Sequence, residues 1–324
     1  LSETFKKTKM KQKYKKKGVG ILYDGKIGTD WAIDSFKKRF EDKGVKVLLF
    51  DANEINSVVP LESLEDHSLP EIGEKVNKGY VIWMNRIYPS ESSSEVIQKG
   101  KDAVSWLGAR NYVTINPLTA CAADYDKNFA AKLMEEYGVP TPKTRLISDI
   151  EEGKLEELVQ ELHLPIILKK NTGGKAIGVT KINTRKELEA ALSRKDVQEG
   201  EYLLQEFAKP SINHDIRIGV IDGVSILSYG RTLVKSKGNT DSWLGSCHHG
   251  SKIIPYEATD EEKRLAVLAT KAIGAKLNEV DMQITENGPV IIENNPTPGY
   301  DEGEERWIEL ITEHIYKNHL ENEN

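Results

Sequence analysis

Late in the chain, VDMQITENGPVIIENN (Val280–Asn295) reads as two short apolar strands around a turn. Asp281, Glu293 and Asn295 interrupt those strands where hydrophobic residues would pack better. Residues two apart in a strand share a face, and so do residues paired across a hairpin. A three-residue loop Glu286-Asn287-Gly288, with its glycine in the left-handed region, pairs Thr285 with Pro289 and, four residues on, Asp281 with Glu293. Asn295 joins them by the two-residue period. A two-residue turn would send the two acids to opposite faces, so this reading depends on loop parity. Adjacent carboxylates repel unless a cation lies between them or one takes a proton. Asp, Glu and an Asn carbonyl are hard oxygen donors of the kind that hold Mg2+ while phosphate oxygens complete its shell. A polar strand face carrying ordinary surface acids is the other reading of the same residues.

Strand-like and helix-like runs alternate elsewhere, which predicts an α/β architecture, and 324 residues exceed one ordinary core. GVGILYD, a helix over Asp30–Lys43 and KVLLFDA form a strand–helix–strand unit, and YVIWMN and VTINP extend it into a small parallel sheet. No G-x-G-x-x-G follows the first strand, so a dinucleotide site has little support. A second unit opens with the helix DKNFAAKLMEEYG, closed by Gly138, Pro140 and Pro142. A third holds DIRIGVI, VSILSYGRTLV, a helix over Asp260–Leu277, the opening pair of strands and a terminal helix. The expected partition is a basic arm (1–17), an N-terminal domain (18–122), a central lid (123–206) and a C-terminal domain (207–324).

Charge is uneven. The first 17 residues carry eight Lys against Glu3, a net of about +7, so the remainder of a chain with net charge −6 stands near −13. Such an acidic body argues against nucleic acid as a general partner. The arm lacks the apolar segment of a secretory signal and reads as a solvated tail, with docking to an acidic partner as the alternative. No apolar run approaches the ~20 residues of a membrane-spanning helix. Cys121 and Cys247 are the only cysteines, which excludes a disulfide framework and fits a reducing, cytoplasmic setting.

From Asp124 to Tyr300 the pieces Asp126-Lys127, PIILKKNTGGKAIGV, LLQEF, HDIRIGV, GRTLV, VDM and IIENNPTPG occur in the order of a known family. The chain resembles the ATP-grasp superfamily, and within it the RimK-type and glutathione-synthase-like carboxylate–amine ligases. The resemblance implies an ATP-grasp fold, α/β overall and α+β in its ATP-binding part, with a preceding parallel-sheet domain. It implies ATP and two Mg2+ ions, replaceable by Mn2+, with Asp281, Glu293 and Asn295 as ligands. Lys127 and Lys169 would neutralise phosphates as point charges, against the plainer reading of solvated lysines. The loop around Gly173 and Gly174 would cover phosphates with backbone N–H groups, although alone it would be an ordinary turn and is not a Walker A loop. Gln205, Glu206 and Phe207 would form the adenine- and ribose-binding hinge, and Asp215 would be a further ATP contact.

Arg217 shares a strand face with Asp215, and Arg231 lies on the next strand. In a chain with ten Arg these two suit the transferring phosphate, or alternatively a structural ion pair. Arg86 would hold a substrate carboxylate. The mechanism implied is attack of a carboxylate on the γ-phosphate, then of an amine on the acyl phosphate, behind a closing lid. One departure concerns the loop SWLGSCHHGS: Leu244 stands where the family carries a basic residue, and His249 where it carries Arg. His248 and His249 are therefore substrate contacts or structural residues, and substrate identity does not carry over. Adjacent residues of an extended segment point apart, which disfavours a zinc site at Cys247-His248-His249. The partners implied are amino-acid or peptide substrates, free or tethered to an acidic carrier, and a second copy of the chain in a homo-oligomer. A regulatory ATP-binding module without turnover and a phosphotransferase are the competing functions.

Overall fold

A computed structural model describes residues 17–28, 30–56, 69–150, 154–235, 241–300 and 304–321; the expected basic arm, apart from Lys17, lies outside them. The chain divides into two compact units, one formed by 1–88, 92–118 and 299–324, the other by 89–91 and 119–298.

In the first unit, β1 (Gly18–Tyr23), β2 (Lys46–Asp51), β3 (Tyr80–Asn85) and β4 (Val113–Ile115) form a parallel sheet in the order β2-β1-β3-β4. Helix α1 (Trp31–Asp42) starts where Asp30 accepts a hydrogen bond from the Ile33 amide at 2.8 Å, and it buries Ile33, Phe36 and Phe40. Helices α2 (Pro70–Asn77) and α3 (Ser94–Ala109) complete the crossovers, as parallel strands require. The terminal helix Glu305–Ile315 was expected with the C-terminal domain. It packs instead on the α1 side of the first unit, where Tyr300 meets Phe36 edge-on and Lys43 pairs with Glu313. Its apolar face of Trp307, Ile308, Ile311 and Ile315 needs a hydrophobic partner, and sequence distance does not say which one.

The second unit starts with α4 (Leu118–Tyr125) and α5 (Lys127–Glu136), the latter capped by Asp126. An antiparallel sheet follows, β5 (Thr144–Leu146), β6 (Ile166–Lys170), β7 (Thr180–Ile182) and β8 (Tyr202–Glu206), in the order β5-β8-β6-β7. Helices α6 (Leu155–Leu162), α7 (Arg185–Leu192) and α8 (Lys195–Glu199) supply Leu158, Leu162, Leu188 and Val197 to its core. A second sheet contains β9 (His214–Ile221), β10 (Val224–Thr232), β13 (Ile253–Pro255), β14 (Leu277–Thr285) and β15 (Gly288–Asn295), in the order β13-β10-β9-β14-β15. Strands β11 (Val234–Lys235) and β12 (Ser242–Leu244) pair separately.

Helix α9 (Asp260–Ala272) opens on a capping box between Thr259 and Glu262. It was predicted to run to Leu277, but Gly274, at φ +68°, ends it and lets β14 begin there. Leu265, Ala266 and Ala269 of α9 pack on Ile216, Ile218, Val280, Met282 and Ile291. The five-stranded sheet is therefore apolar on its α9 face. Period-two alternation leaves the opposite face to the intervening residues, among them Asp215, Arg217, Arg231, Glu279 and Asp281.

Candidate nucleotide and metal site

Two rows of cross-strand partners build that charged face. Tyr229, Arg217, Asp281 and Glu293 lie side by side across β10, β9, β14 and β15, and Arg231 pairs with Asp215 beside them. The expected pairing of Asp281 with Glu293 is present, but by a different route. Thr285 pairs with Gly288, so the turn is the two-residue Glu286-Asn287. That register holds to Met282 opposite Ile291, and then a bulge at Ile292 shifts the ladder so that Asp281 meets Glu293. One parity change cancels the other.

Asn295 lies opposite Glu279, and its amide donates to Asp281 Oδ1 at 3.0 Å and to the Glu279 carbonyl at 3.2 Å. Among the described residues no three His, Cys, Asp or Glu side chains are grouped to hold a metal ion. Of the three expected ligands two are carboxylates, and the third oxygen donor is an amide.

The carboxylates are matched by cations. Arg217 is 6% exposed, pairs with Asp281, and lies 3.1 Å from Asp215 and 3.9 Å from Glu279. Burial works against its charge, but Asp215, Asp281 and Glu279 hold its proton well above the ordinary guanidinium value. Arg231 donates to the Tyr229 hydroxyl at 2.8 Å and sits 3.8 Å from Glu279, whose carboxylate also accepts from Tyr229 at 3.2 Å. Lys127, the first residue of α5, reaches Glu293 at 2.7 Å and the Gly173 carbonyl at 2.6 Å. Burial pushes Asp281 up to about 8, with Glu293, Glu279 and Asp215 adding to it against Arg217. Burial would raise Glu293 too, but Lys127 and Lys169 draw it down to about 2. Lys169 is 7% exposed, and burial lowers it to about 8, with Glu293 opposing and Lys127 reinforcing the shift.

A small pocket joins these groups to the end of β8: Lys127, Met134, Lys169, Gln205, Ile292 and Glu293 line it. The bulge thus turns Ile292 toward the pocket as well as restoring the register. Gln205 donates to Thr144 Oγ1 at 2.8 Å, and Glu206 accepts from the Lys143 amide at 3.3 Å. Phe207 belongs to an apolar cluster with Trp243, Leu244 and Ala176, and Lys181 lies 4.2 Å from its ring centre. Gly173 adopts φ +100°, and Lys175 and Ala176 beside it are also left-handed, so the glycine loop is a tight, backbone-directed turn. Gly174 lies next to Ser90, and Lys175 pairs with Glu91 at 2.8 Å.

Leu244, which replaces an expected basic residue, is buried in that apolar cluster and carries no charge to the site. The next residue is a glycine for a steric reason. A Cβ on Gly245 would fall 1.8 Å from the Asp215 carboxylate, and the Gly245 carbonyl accepts from Arg217 at 3.2 Å. His248 and His249 are exposed in a single 3-10 turn, with His249 Nδ1 3.1 Å from Ser246 Oγ. The segment is therefore not extended, which removes the reason first given against a zinc site there. Arg86 belongs to the first unit, is 2% exposed, donates to the Tyr88 hydroxyl, and lies among the rings of Phe36, Tyr88 and Tyr300. Glu279 and Ile292 were missed. Glu279 was accessible to the two-residue rule that found Asp281, whereas nothing local marks the bulge.

Lys169 yields a pH prediction. Its folded value lies below its unfolded one, so the unfolded chain holds more protons between about pH 8 and the ordinary lysine value. The penalty for burying this charge is therefore relieved as pH rises through that window. An anion bound beside it restores the ammonium. Nucleotide binding at pH 8.5 should take up a proton at Lys169, read as buffer-dependent heat in calorimetry, and Lys169→Met should reduce that uptake.

Comparison with known proteins matches residues 124–315 to the RimK-like ATP-grasp domain. The chain is 29% identical over 216 residues to a probable alpha-L-glutamate ligase of Vibrio atlanticus (strain LGP32), covering 65% of this chain and 69% of that one. It is 30% identical over 175 residues to a protein of the same name from Parasynechococcus marenigrum (strain WH8102), covering 54% of this chain and 36% of that one. These matches span between about a third and two thirds of the relatives' length. The ATP-grasp ligase PsnB, complexed with a minimal precursor, Mg and ADP, superposes with TM-score 0.64 at 18% identity, covering 92% of this chain and 96% of its own. The D-alanine–D-alanine ligase of Bacillus anthracis gives TM-score 0.63 at 15% identity, with 93% and 99% covered.

Proposed function

The chain belongs to the RimK-like ATP-grasp ligase family, and from that premise we propose that it joins a carboxylate to an amine at the expense of ATP, through an acyl phosphate. The observation that carries the reading is the charged sheet face. Asp215, Glu279, Asp281 and Glu293 stand against Lys127, Lys169, Arg217 and Arg231 on the cavity side of one sheet and its neighbouring strand and helix.

Four acids stand against four bases, a near-balanced set that would accept a triphosphate together with divalent cations. Buried Arg217 Nε and Arg231 Nε have no hydrogen-bond partner among the described residues, donors that an anion can take. Asp281, Glu293 and the Asn295 carbonyl would hold Mg2+, the oxygen set such an ion prefers. When bound, the ions would neutralise phosphate charge during in-line transfer. Lys127 and Lys169 would hold the phosphates, Arg217 and Arg231 the transferring group, and Gln205, Glu206 and Phe207 the base and ribose. The turn at Gly173 and Gly174 would keep water from the activated acid.

The relatives named alpha-L-glutamate ligases favour glutamate as a first substrate to try. A peptide-tethered acceptor is the second reading. It is favoured by the neutral Leu244 in the substrate loop and by the precursor peptide held by the PsnB neighbour. A screen of phosphate release with Mg-ATP, over glutamate paired with amino acids and acidic peptides, followed by product mass, tests both. An amide product is expected. ADP formation with a phosphorylated product and no amide would leave a phosphotransferase and overturn the ligase reading.

A further inference from the structure

Behind the charged face, a line of polar side chains crosses a core that is otherwise hydrophobic. Asn278 and Thr270 are 0% and 1% exposed, and Asn294 is 6% exposed. Asn278 Nδ2 donates to Asn294 Oδ1 at 2.7 Å and to Thr270 Oγ1 at 3.1 Å, and the Thr270 hydroxyl donates to the Ala266 carbonyl at 2.8 Å. Asn294 Nδ2 completes the line at Met134 Sδ, 3.1 Å away. The string joins α9, β14, β15 and α5 through a layer of Val280, Met282, Ile291 and Ala269. Stability does not account for it. Asn278 Oδ1 has no partner among the described residues, the thioether is a weak acceptor, and matched apolar side chains would serve the core as well or better.

Position along β15 supplies the reason. Asn294 falls between Glu293 and Asn295, two residues past the bulge at Ile292, where the ladder changes register. Continued from the turn, the register of Thr285 with Gly288 would set Asp281 opposite Ile292 and turn Glu293 toward the core. A strand whose two registers differ by one residue needs something on the core side to choose between them. The directional bond from Asn278 holds Asn294 inward, and its two neighbours therefore point to the charged face.

We propose that Asn278 and Asn294 form a positioning pair that sets Glu293 and Asn295 for divalent-cation binding. The proposal rests on the reading of Asp281, Glu293 and Asn295 as the cation ligands, and the test separates the two. Mn2+ is titrated by electron paramagnetic resonance, without nucleotide, into the 324-residue chain, its Glu293→Gln variant and the double variant Asn278→Leu/Asn294→Leu, with thermal unfolding measured in parallel. The double variant replaces both partners by apolar groups of similar size. It is expected to melt near the unsubstituted chain yet bind Mn2+ at least tenfold more weakly, the size typical of lost support around a metal site. Unchanged Mn2+ affinity in a folded double variant, with binding lost in Glu293→Gln, would overturn the positioning role alone. Unchanged affinity in Glu293→Gln would overturn the ligand reading itself. Should the double variant fail to fold, Asn278→Ser, which keeps a hydroxyl for Thr270 but breaks the bond to Asn294, decides by the same titration. Tenfold weaker Mn2+ binding supports the pair, and equal binding refutes it.

Discussion

Glu293→Gln should cut ADP formation by on the order of a thousandfold while the chain stays folded. Electrostatic stabilisation of a transferring phosphoryl group by bound cations is worth several kcal/mol, and each ~1.4 kcal/mol is a factor of ten. The amide keeps the size and one oxygen of the carboxylate but removes the charge that opposes Lys127 at 2.7 Å. Stability should respond differently. Glu293 is held at about 2, below its unfolded value, so its stabilising contribution is complete above the ordinary glutamate value and disappears as pH falls through about 2. Near neutral pH the variant therefore loses that contribution, and its melting temperature should approach that of the unsubstituted chain only in strong acid. Steady-state ADP release at saturating Mg2+ is the measurement, and turnover within tenfold of the unsubstituted chain would remove Glu293 from the ligand set.

Arg217→Met should destabilise the fold by about 3–5 kcal/mol, the usual cost of leaving buried charge without its partner. Asp281 pairs directly with this guanidinium, Asp215 lies 3.1 Å away, and Glu279 is 3.9 Å away. The loss should shrink as pH falls, because Asp281, already pushed up to about 8, takes a proton and no longer needs the cation. Denaturant unfolding at pH 5 and pH 8.5 reads both effects. A variant as stable as the unsubstituted chain at both pH values would mean that Arg217 serves the phosphate alone. The plainer reading of this residue, a structural ion pair, and the functional one are thus both present in one side chain. The same guanidinium that would meet a triphosphate keeps three acids together beforehand.

Much of the parallel first-unit sheet was legible because each strand is a continuous apolar run set by local composition, and β1 to β4 fall where those runs predict them. The charged face was legible for a similar reason. In DIRIGV the charged residues recur at alternate positions, and in VDM the acid sits between two apolar residues, and alternation is a property of the strand itself. The route to the Asp281–Glu293 pair was not legible, since a two-residue turn and a bulge produce the register expected of a three-residue loop. Helix α2 was missed, although Pro70 opens it and it buries Ile72 and Val76.

Which residue types alternate and where most strands begin were therefore decided by the sequence alone, because those properties act over a few neighbouring residues. Only the tertiary structure decided that Arg86 lies enclosed among aromatic rings, that Leu244 is buried, and that the terminal helix packs on the α1 side of the first unit. Each of those outcomes depends on which surface, distant in sequence, arrives to desolvate or neutralise a side chain, and no local pattern encodes that arrival.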